Sequence, residues 1–209
     1  MVSLNSDIEL FWNTCHSQNK TESLSGCQYD ETISFLKLQN LIKPNISVLE
    51  VGVGLGYVTK GLYDNGVVVS CLEISDIGID RVKKYCENTY TPDDLEKIPS
   101  EYFDVILCNN VVQHMPTDKL IVELKHCIRS LKDDGVFAIE FVSNDEVDDM
   151  GVDLTIDTST SGCCCRSICF LEKIINDLGG KCELVFTNVV DFGVVKGHHV
   201  FHVTKYKHT

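Results

Sequence analysis

The sequence predicts an α/β fold in which a mostly parallel sheet is covered by helices on both faces. From residue 46 onward, short apolar runs alternate with segments of helical periodicity, which is typical of strand-helix-strand units. A glycine-rich turn follows the first apolar run, and an acidic residue follows the second. These observations together predict a ligand site at the carboxyl ends of the first two strands.

Six apolar runs and four amphipathic segments make up the predicted sheet and its helices. The runs are bounded by glycine, proline or charged residues, as buried strands often are. They cover residues 46–51, 67–72, 102–108, 136–141, 182–190 and 199–205. The amphipathic segments each carry one apolar stripe, which predicts helices. They cover residues 57–65, 76–88, 117–131 and 166–178. We expect Thr117 or Asp118 to lie near the N-cap of the third helix.

Two further segments lie outside this regular pattern. Residues 89–99 contain two prolines and many charges, so we expect a loop or a very short edge strand there. Residues 1–44 precede the sheet and are expected to form an N-terminal cap that is helical in parts. Phe11 and Trp12 in this cap are expected to pack onto the core, or alternatively to cover a ligand pocket. At 209 residues the chain is predicted to be a single domain, with its ligand-binding core at 46–205.

The composition excludes several classes of protein. No apolar run approaches the roughly 20 residues that span a bilayer, and the first residues lack the features of a secretory signal, so we expect a cytoplasmic location. The formal charge of −13 repels phosphate backbones and makes nucleic acid a poor substrate. Six acidic residues between 145 and 157 can attract a cationic substrate, although a solvated loop is the alternative interpretation.

The eleven cysteines are predicted to be reduced thiols, because their number is odd and several lie inside predicted strands or helices. Cys71 and Cys108 lie at the ends of apolar runs, where cysteine packs as a small hydrophobic residue and needs no redox role. The run 163–165 with Cys169 lacks paired C-x-x-C spacing and a nearby histidine. We therefore expect a surface turn there and predict no metal site.

The glycine turn, formed by Gly52, Gly54 and Gly56 after Glu50, joins the first strand to the first helix. Glycines at such a place let the backbone turn tightly and approach a ligand that a Cβ atom would exclude. Glu73 ends the second strand, 21 residues after Gly52, where a carboxylate can accept hydrogen bonds from both ribose hydroxyls of an adenosine. The turn and the acid together predict a nucleotide or nucleoside site.

With these residues, the sequence resembles the class I S-adenosylmethionine-dependent methyltransferase superfamily. The resemblance is carried by residues 48–56, Glu73, residues 103–114 and the later strand at 131–139. It implies a Rossmann-like, doubly wound sheet of seven strands in a three-layer αβα arrangement. It also implies that the last strand is inserted antiparallel, which suits the predicted closing pair of strands.

The resemblance also implies roles for individual residues. Glu50 and the glycine turn would hold the methionine part of S-adenosylmethionine, and Glu73 would hold its ribose. Cys108, the last residue of the strand at 102–108, would line the same pocket together with the next two residues, Asn109 and Asn110. An acid after the third strand often binds the adenine amine in this family, and Asp93 and Asp94 are the nearest candidates.

The expected reaction is methyl transfer to an amine or hydroxyl of a small molecule or peptide. The sulfonium of the donor is already activated, so the protein mainly holds the acceptor in line and excludes water. A weakly nucleophilic hydroxyl needs a base, and His114, just after the strand at 102–108, is the best placed candidate. Helix capping or substrate contact is an equally good interpretation of His114. The acids at 145–157 would favour a cationic acceptor.

Two other functions stay open at this point. An NAD(P)-dependent oxidoreductase also has a glycine turn and a distant acid, but this chain has G-x-G-x-G after an acid in place of G-x-G-x-x-G. The second alternative is a partner protein that binds S-adenosylmethionine without catalysis, since a retained pocket does not prove turnover. Binding without transfer to any acceptor would identify it. The sequence does not indicate an oligomeric state.

Overall fold

The chain divides into two compact units, Met1–Ile98 and Pro99–Thr209. The computed structural model describes residues 4–17, 33, 36, 37, 39–143, 166–192 and 195–206. Each unit has its own strands, helices and buried residues. The organisation as a single domain stays a prediction.

The first unit contains three parallel strands with helices between them. Its elements are α1 (Leu4–Ser17), β1 (Ser47–Val51), α2 (Tyr57–Asp64), β2 (Val68–Leu72), α3 (Asp76–Val82), β3 (Cys86–Tyr90) and a 3₁₀ helix (Pro92–Lys97). β1 pairs with β2 from Ser47 beside Val68 to Val51 beside Leu72. Both strands are buried over their last four residues, as expected for apolar runs in the middle of a parallel sheet.

The second unit contains four strands that end in an antiparallel pair. Its elements are β4 (Phe103–Asn109), a 3₁₀ helix (Val112–His114), α4 (Thr117–Ser130), β5 (Leu131–Ser143), α5 (Ile168–Asp177), β6 (Gly180–Phe192) and β7 (Val195–Lys205). β4 pairs with β5 in parallel, whereas β7 runs antiparallel to both β5 and β6. Three phenylalanines of β5 and β7 are almost fully buried, namely Phe137, Phe141 and Phe201.

The predicted fold class is confirmed. The seven strands form one sheet in the order β3-β2-β1-β4-β5-β7-β6. All of the strand pairs that involve β7 are antiparallel, and the pairs β1–β2, β2–β3 and β4–β5 are parallel. The antiparallel strand is therefore inserted between β5 and β6, as the family resemblance implied.

The predicted helix at 76–88 is too long. α3 ends at Val82, and a turn that returns the Tyr85 N–H to the Val82 carbonyl leads directly into β3. The backbone of residues 86–90 then pairs with β2, with Tyr90 beside Leu72. Of residues 89–99, only the first two belong to β3, which agrees with the predicted loop or very short strand, and Pro92–Lys97 form the 3₁₀ helix. The start of β3, by contrast, lies in residues predicted to be helical.

α4 begins at Thr117 with Pro116 as its N-cap, so Thr117 and Asp118 lie near the N-cap as predicted. No side chain caps the first turn. β5 is longer than predicted. It covers Leu131–Ser143 and so extends beyond the apolar run 136–141 at both ends. The N-terminal cap contains α1, and most of residues 18–38 lie outside the described residues.

We expect loss of an aromatic ring to destabilise the protein much more in β7 than in β6. Phe201 of β7 is 2% exposed and its ring lies 5.1 Å from that of Phe141, whereas Phe186 of β6 is 41% exposed. Phe201→Ala should lower the free energy of unfolding by about 3–5 kcal/mol through an internal cavity. Phe186→Ala should change it by less than about 1 kcal/mol. Chemical denaturation of both variants measures this, and equal losses would contradict the assigned core.

Candidate functional site

The glycine turn has the backbone conformation that its sequence predicts. Gly52, Gly54 and Gly56 all have positive φ angles, of 72°, 53° and 81°. A Cβ atom on Gly56 would lie 2.6 Å from the Cγ1 atom of Val82, so the turn packs tightly against α3 there. A Cβ atom on Gly54 would meet no heavy atom within 4 Å, which leaves open space beside the backbone at that residue.

Glu73 contacts the glycine turn directly. Its Oε2 atom accepts a hydrogen bond from the Gly54 N–H at 3.3 Å, and its Oε1 atom accepts one from the Ser75 N–H at 2.8 Å. The side chain is 5% exposed and lies just beyond the end of β2. The predicted pairing of turn and acid is therefore present in the first unit, at the carboxyl ends of adjacent parallel strands.

Glu50 lies at the same end of the sheet, within β1. The Thr59 hydroxyl of α2 donates a hydrogen bond to its Oε2 atom at 2.7 Å. Burial raises the pKa of Glu50 to about 8, although the bond from Thr59 acts in the opposite direction. Burial also raises the pKa of Glu73, against the lowering effect of its backbone hydrogen bonds. Two carboxyl groups that are costly to ionise therefore flank the turn, and a cation bound near them would favour their charged forms.

A hydrogen-bond network joins α1 to the loop that carries Glu73. The Ser75 hydroxyl donates to the Asn13 Oδ1 atom at 2.7 Å and accepts the α3 capping bond from the Gly78 N–H at 3.1 Å. His16 Nδ1 lies 2.9 Å from the Ser75 Oγ atom. Because the single Ser75 hydroxyl proton goes to Asn13, His16 donates to Ser75 through its Nδ1–H.

His16, at one end of this network, is buried and neutral. Its side chain is 2% exposed, and burial, with a smaller contribution from the charge of Arg81, lowers its pKa to about 4. Arg81 also donates a hydrogen bond to the His16 carbonyl at 3.1 Å. Trp12 packs beside the imidazole, with ring centroids 5.8 Å apart. The N-terminal helix is therefore fixed to α3 through polar contacts that meet at Ser75.

In the second unit, a short segment after β4 is held by hydrogen bonds. Asn110 has a φ angle of 54° and donates its N–H to the Glu140 carbonyl of β5 at 2.9 Å. Its Oδ1 atom accepts a hydrogen bond from the Gln113 side-chain amide at 3.2 Å. Asparagine tolerates the left-handed conformation better than most residues, which explains its place at this sharp turn.

Arg166 holds the same segment from the other side. Its guanidinium donates to the carbonyls of Val112 and Met115 at 2.9 and 2.6 Å, and to the Thr117 hydroxyl at 3.2 Å. His114 lies at the end of the 3₁₀ helix that these bonds enclose. The sequence alone places Arg166 at the start of a helix and gives no sign of this role, because its partners are about 50 positions away in the chain.

The predicted site residues are divided between the two units. Glu50, the glycine turn and Glu73 lie together in the first unit. Four other predicted site residues belong to the second unit, namely Cys108, Asn109, Asn110 and His114. Cys108 is 2% exposed, and burial raises the pKa of its thiol. The assignment of these four residues to the donor pocket or to catalysis stays a prediction.

Several residues with predicted roles have other partners or lie elsewhere. Asp94 accepts hydrogen bonds from the Thr91 backbone and hydroxyl and from Lys97, so it closes a capping box on the first 3₁₀ helix. The acids at 145–157 and the cysteines at 163–165 lie outside the described residues. Within the described ranges, no three His, Cys, Asp or Glu side chains are grouped so that they could hold a metal ion. None of the helices described there is both long and apolar enough to cross a membrane.

We expect Glu50→Gln to remove a pH dependence of stability. The folded-state pKa of Glu50 is about 8 against an ordinary value of 4.5, so the folded protein keeps a proton that the unfolded chain loses in this window. The contribution of Glu50 to the free energy of unfolding therefore falls as pH rises, by at most about 1.4 kcal/mol per pH unit. Glutamine has a similar shape but does not titrate.

Chemical denaturation across this pH window measures the effect. Glu50→Gln should gain stability steadily relative to the original protein as pH rises, whereas Glu87→Gln on the exposed face of β3 is the control and should show no such gain. A constant difference between the Glu50→Gln variant and the original protein would contradict the burial of an ionisable Glu50.

Comparisons with known proteins agree with this geometry. A family model described as a methyltransferase domain matches residues 25–179, which is more than half of the chain. Two curated ubiquinone biosynthesis O-methyltransferases are similar to shorter parts. That of Coxiella burnetii is 28% identical over 95 residues, 42% of this chain and 40% of that protein. That of Paramagnetospirillum magneticum is 30% identical over 109 residues, 47% and 42% of the two chains. The chain thus spans about two fifths of the length of the curated relatives it matches.

Solved structures share the fold at low sequence identity. The 1,6-didemethyltoxoflavin-N1-methyltransferase of Burkholderia thailandensis, solved with that compound and S-adenosylhomocysteine, has a TM-score of 0.69 and 13% identity over 99% of this chain and 92% of that chain. The cyclase SpnF has a TM-score of 0.65 and 13% identity, over 84% and 81%. Structural likeness at such low identity establishes the fold, whereas the match to the family model establishes the family. The chain belongs to the methyltransferase domain family, with the fold of the class I S-adenosylmethionine-dependent methyltransferases.

Proposed function

We propose that this protein transfers a methyl group from S-adenosylmethionine to a hydroxyl group of a small molecule. The observation that carries the donor half of this proposal is the contact between the glycine turn and the Glu73 carboxylate. Family membership supports the reaction class. The curated relatives, which are named as O-methyltransferases, support the choice of a hydroxyl over an amine.

The donor's adenosine and methionine parts would be held by different residues of the first unit. The Glu73 carboxylate lies among the backbone N–H groups of Gly54, Ser75, Val53 and Ile74, which favour its ionised form, and ribose hydroxyls would take over acceptor sites that some of these groups now use. The backbone beside Gly54 is open to a ligand. Glu50 would face the cationic methionine part, whose charge would favour loss of the Glu50 proton.

The acceptor half of the proposal rests on His114. Bound donor supplies an activated methyl group, so the protein's own task is to orient the acceptor, exclude water and remove a proton where the acceptor carries one. A hydroxyl is a weak nucleophile at neutral pH and benefits from a base. His114 would accept that proton, and Arg166 would keep the segment around it in place through the Val112 and Met115 carbonyls.

Other acceptors and functions are weaker alternatives. The net charge of −13 disfavours nucleic acid, and the acids at 145–157 would suit a cationic amine or a peptide. Membership of the methyltransferase domain family disfavours the NAD(P)-dependent oxidoreductase. A protein that binds the donor without methyl transfer stays an alternative, because a cyclase shares this fold. A cytoplasmic location stays a prediction.

A transfer assay distinguishes these alternatives. The purified protein would be incubated with S-adenosylmethionine labelled in its methyl group and with matched panels of small phenols, catechols and primary amines. We expect label in the hydroxyl-containing acceptors and formation of S-adenosylhomocysteine. Label found only in the amines would contradict transfer to a hydroxyl group and would support a cationic amine as the acceptor. Donor binding without transfer to either panel would contradict the enzymatic proposal.

We expect His114→Asn to lower kcat with a hydroxyl acceptor by about 10²–10⁴-fold, the usual contribution of a general base, with KM little changed. The loss should shrink as pH rises, because the acceptor then arrives already deprotonated. His126→Asn on α4 is the matched control and should keep its rate. A pH-independent loss shared by both variants would show that His114 has only a structural role.

A further inference from the structure

Two cysteines that the proposed function does not use contact each other beside the glycine turn. Cys71 of β2 is fully buried, whereas Cys86 begins β3 and is partly exposed. Both pack with Val53 of the turn and Val82 of α3 in one apolar cluster. Their thiols are also hydrogen-bonded to each other. We call Cys71 and Cys86 the dithiol.

The strand register explains why the two thiols meet. Cys86 pairs with Val69, which lies two residues before Cys71 on β2. Since side chains alternate along a strand, Val69 and Cys71 point to the same face, and Cys86 points there with its partner. Cys86 also lies on the edge strand of the sheet, which has a neighbour on one side only. The edge position gives one of the two thiols access to solvent.

The two thiols differ in reactivity. The hydrogen bond from Cys71 to the Cys86 sulfur lowers the pKa of Cys86, against the opposing effect of burial. The same bond, together with burial, raises the pKa of Cys71. A partly exposed thiol that ionises readily, next to a second thiol, is the arrangement of a redox-sensitive pair. Cys86 would be the nucleophile and Cys71 the resolving thiol.

We propose that the dithiol is a modification site for hydroperoxides and is oxidised to a Cys71–Cys86 disulfide. The Cys86 thiol first loses its proton, the thiolate attacks one peroxide oxygen, the O–O bond breaks, and the hydroxide that leaves takes up that proton to become water. Cys86 is then a sulfenic acid. The Cys71 sulfur attacks the Cys86 sulfur, the S–O bond breaks, and the hydroxyl group leaves as water with the Cys71 proton. Two thiols lose two electrons in total, and hydrogen peroxide is reduced to two water molecules.

Oxidation would change the packing beside the glycine turn. A disulfide needs an S–S distance of about 2.05 Å, much shorter than any contact between unbonded sulfur atoms, so the Cys71 and Cys86 side chains must move toward each other inside the apolar cluster. Val82 packs against both the dithiol and Gly56, where no Cβ atom separates it from the turn. We therefore expect the disulfide to weaken donor binding. This consequence rests on the proposed function, whereas the oxidation itself does not.

Peptide mapping of the whole chain tests the oxidation. Trypsin cuts after Arg81 and Lys84 and so separates Cys71, in the peptide 61–81, from Cys86, in the peptide 85–97. After brief treatment with hydrogen peroxide and alkylation of the remaining thiols, we expect these two peptides to be linked. The link should disappear with dithiothreitol and be absent from Cys86→Ser.

Cys169 provides the matched control, because it is exposed on α5 and outside the dithiol. Cys169→Ser should form the linked peptides as the original protein does. Faster oxidation of Cys169 than of Cys86, or peptides linked through other cysteines only, would overturn the proposal. The original protein carries the main test, so the result does not depend on whether a Cys71 variant folds.

Calorimetric titration with S-adenosylhomocysteine tests the consequence. Oxidation should raise the Kd of the original protein at least about fivefold, the lower range of coupling between two sites, and should leave the Kd of Cys86→Ser unchanged. An unchanged Kd after complete disulfide formation would contradict the expected effect of the disulfide on ligand binding at the glycine turn. Absence of binding in the reduced protein would instead count against the proposed function, since the peptide map does not depend on the donor.

Discussion

The hydrogen bonds that Glu73 accepts from Gly54 and Ser75 are the contacts on which the rest of the first unit depends. They join the turn after β1 to the loop after β2. Gly54 of the turn is 19 positions from Glu73 in the chain, and Ser75 of the loop is 2 positions from it. The same loop provides Ser75, which caps α3 and binds α1 through Asn13 and His16. One carboxylate therefore connects the turn, the cap of α3 and the N-terminal helix.

This arrangement places groups that are costly to bury at one end of the sheet. Glu50 and Glu73 both have raised pKa values because they are almost fully removed from water. Buried polar groups of this kind lower stability unless they are paired, and proteins keep them mainly where function needs them. A cationic ligand that carries ribose hydroxyls would add a charge partner for Glu50 and hydrogen-bond donors for Glu73, so the electrostatics and the geometry of the turn favour the same class of ligand.

The parts of the fold that the sequence predicts well are those governed by local patterns. The glycine turn and its acid are recognisable because each residue type meets a local requirement, namely positive φ angles or a carboxylate at a strand end. β3 is poorly predicted because its mostly exposed, polar residues lack a strand pattern, and only pairing with β2 makes it a strand. Cys71 and Cys86 meet only because β2 and β3 pair. The expectation that Cys71 packs as a small hydrophobic residue therefore does not predict the dithiol.

Long-range polar contacts form the other part that sequence reasoning misses. The bond between His16 and Ser75 spans 59 positions, and that between Arg166 and Val112 spans 54. No spacing rule connects such residues, since their distance in space is set by the whole topology. Ser75 itself is recognisable as an N-cap from the residue types around it. Its second role, as the partner of α1, appears only in the folded chain.

Calorimetric titration with S-adenosylmethionine and S-adenosylhomocysteine tests the central claim most directly, with the original protein, Glu73→Ala and the exposed-surface control Asp80→Asn compared side by side. We expect both ligands to bind the original protein and Asp80→Asn alike, and Glu73→Ala to weaken the binding of both by at least about 1 kcal/mol through lost hydrogen bonds. Absence of binding to the original protein, or equal affinity in the Glu73→Ala variant, would contradict the assignment of the glycine turn and Glu73 as the donor site.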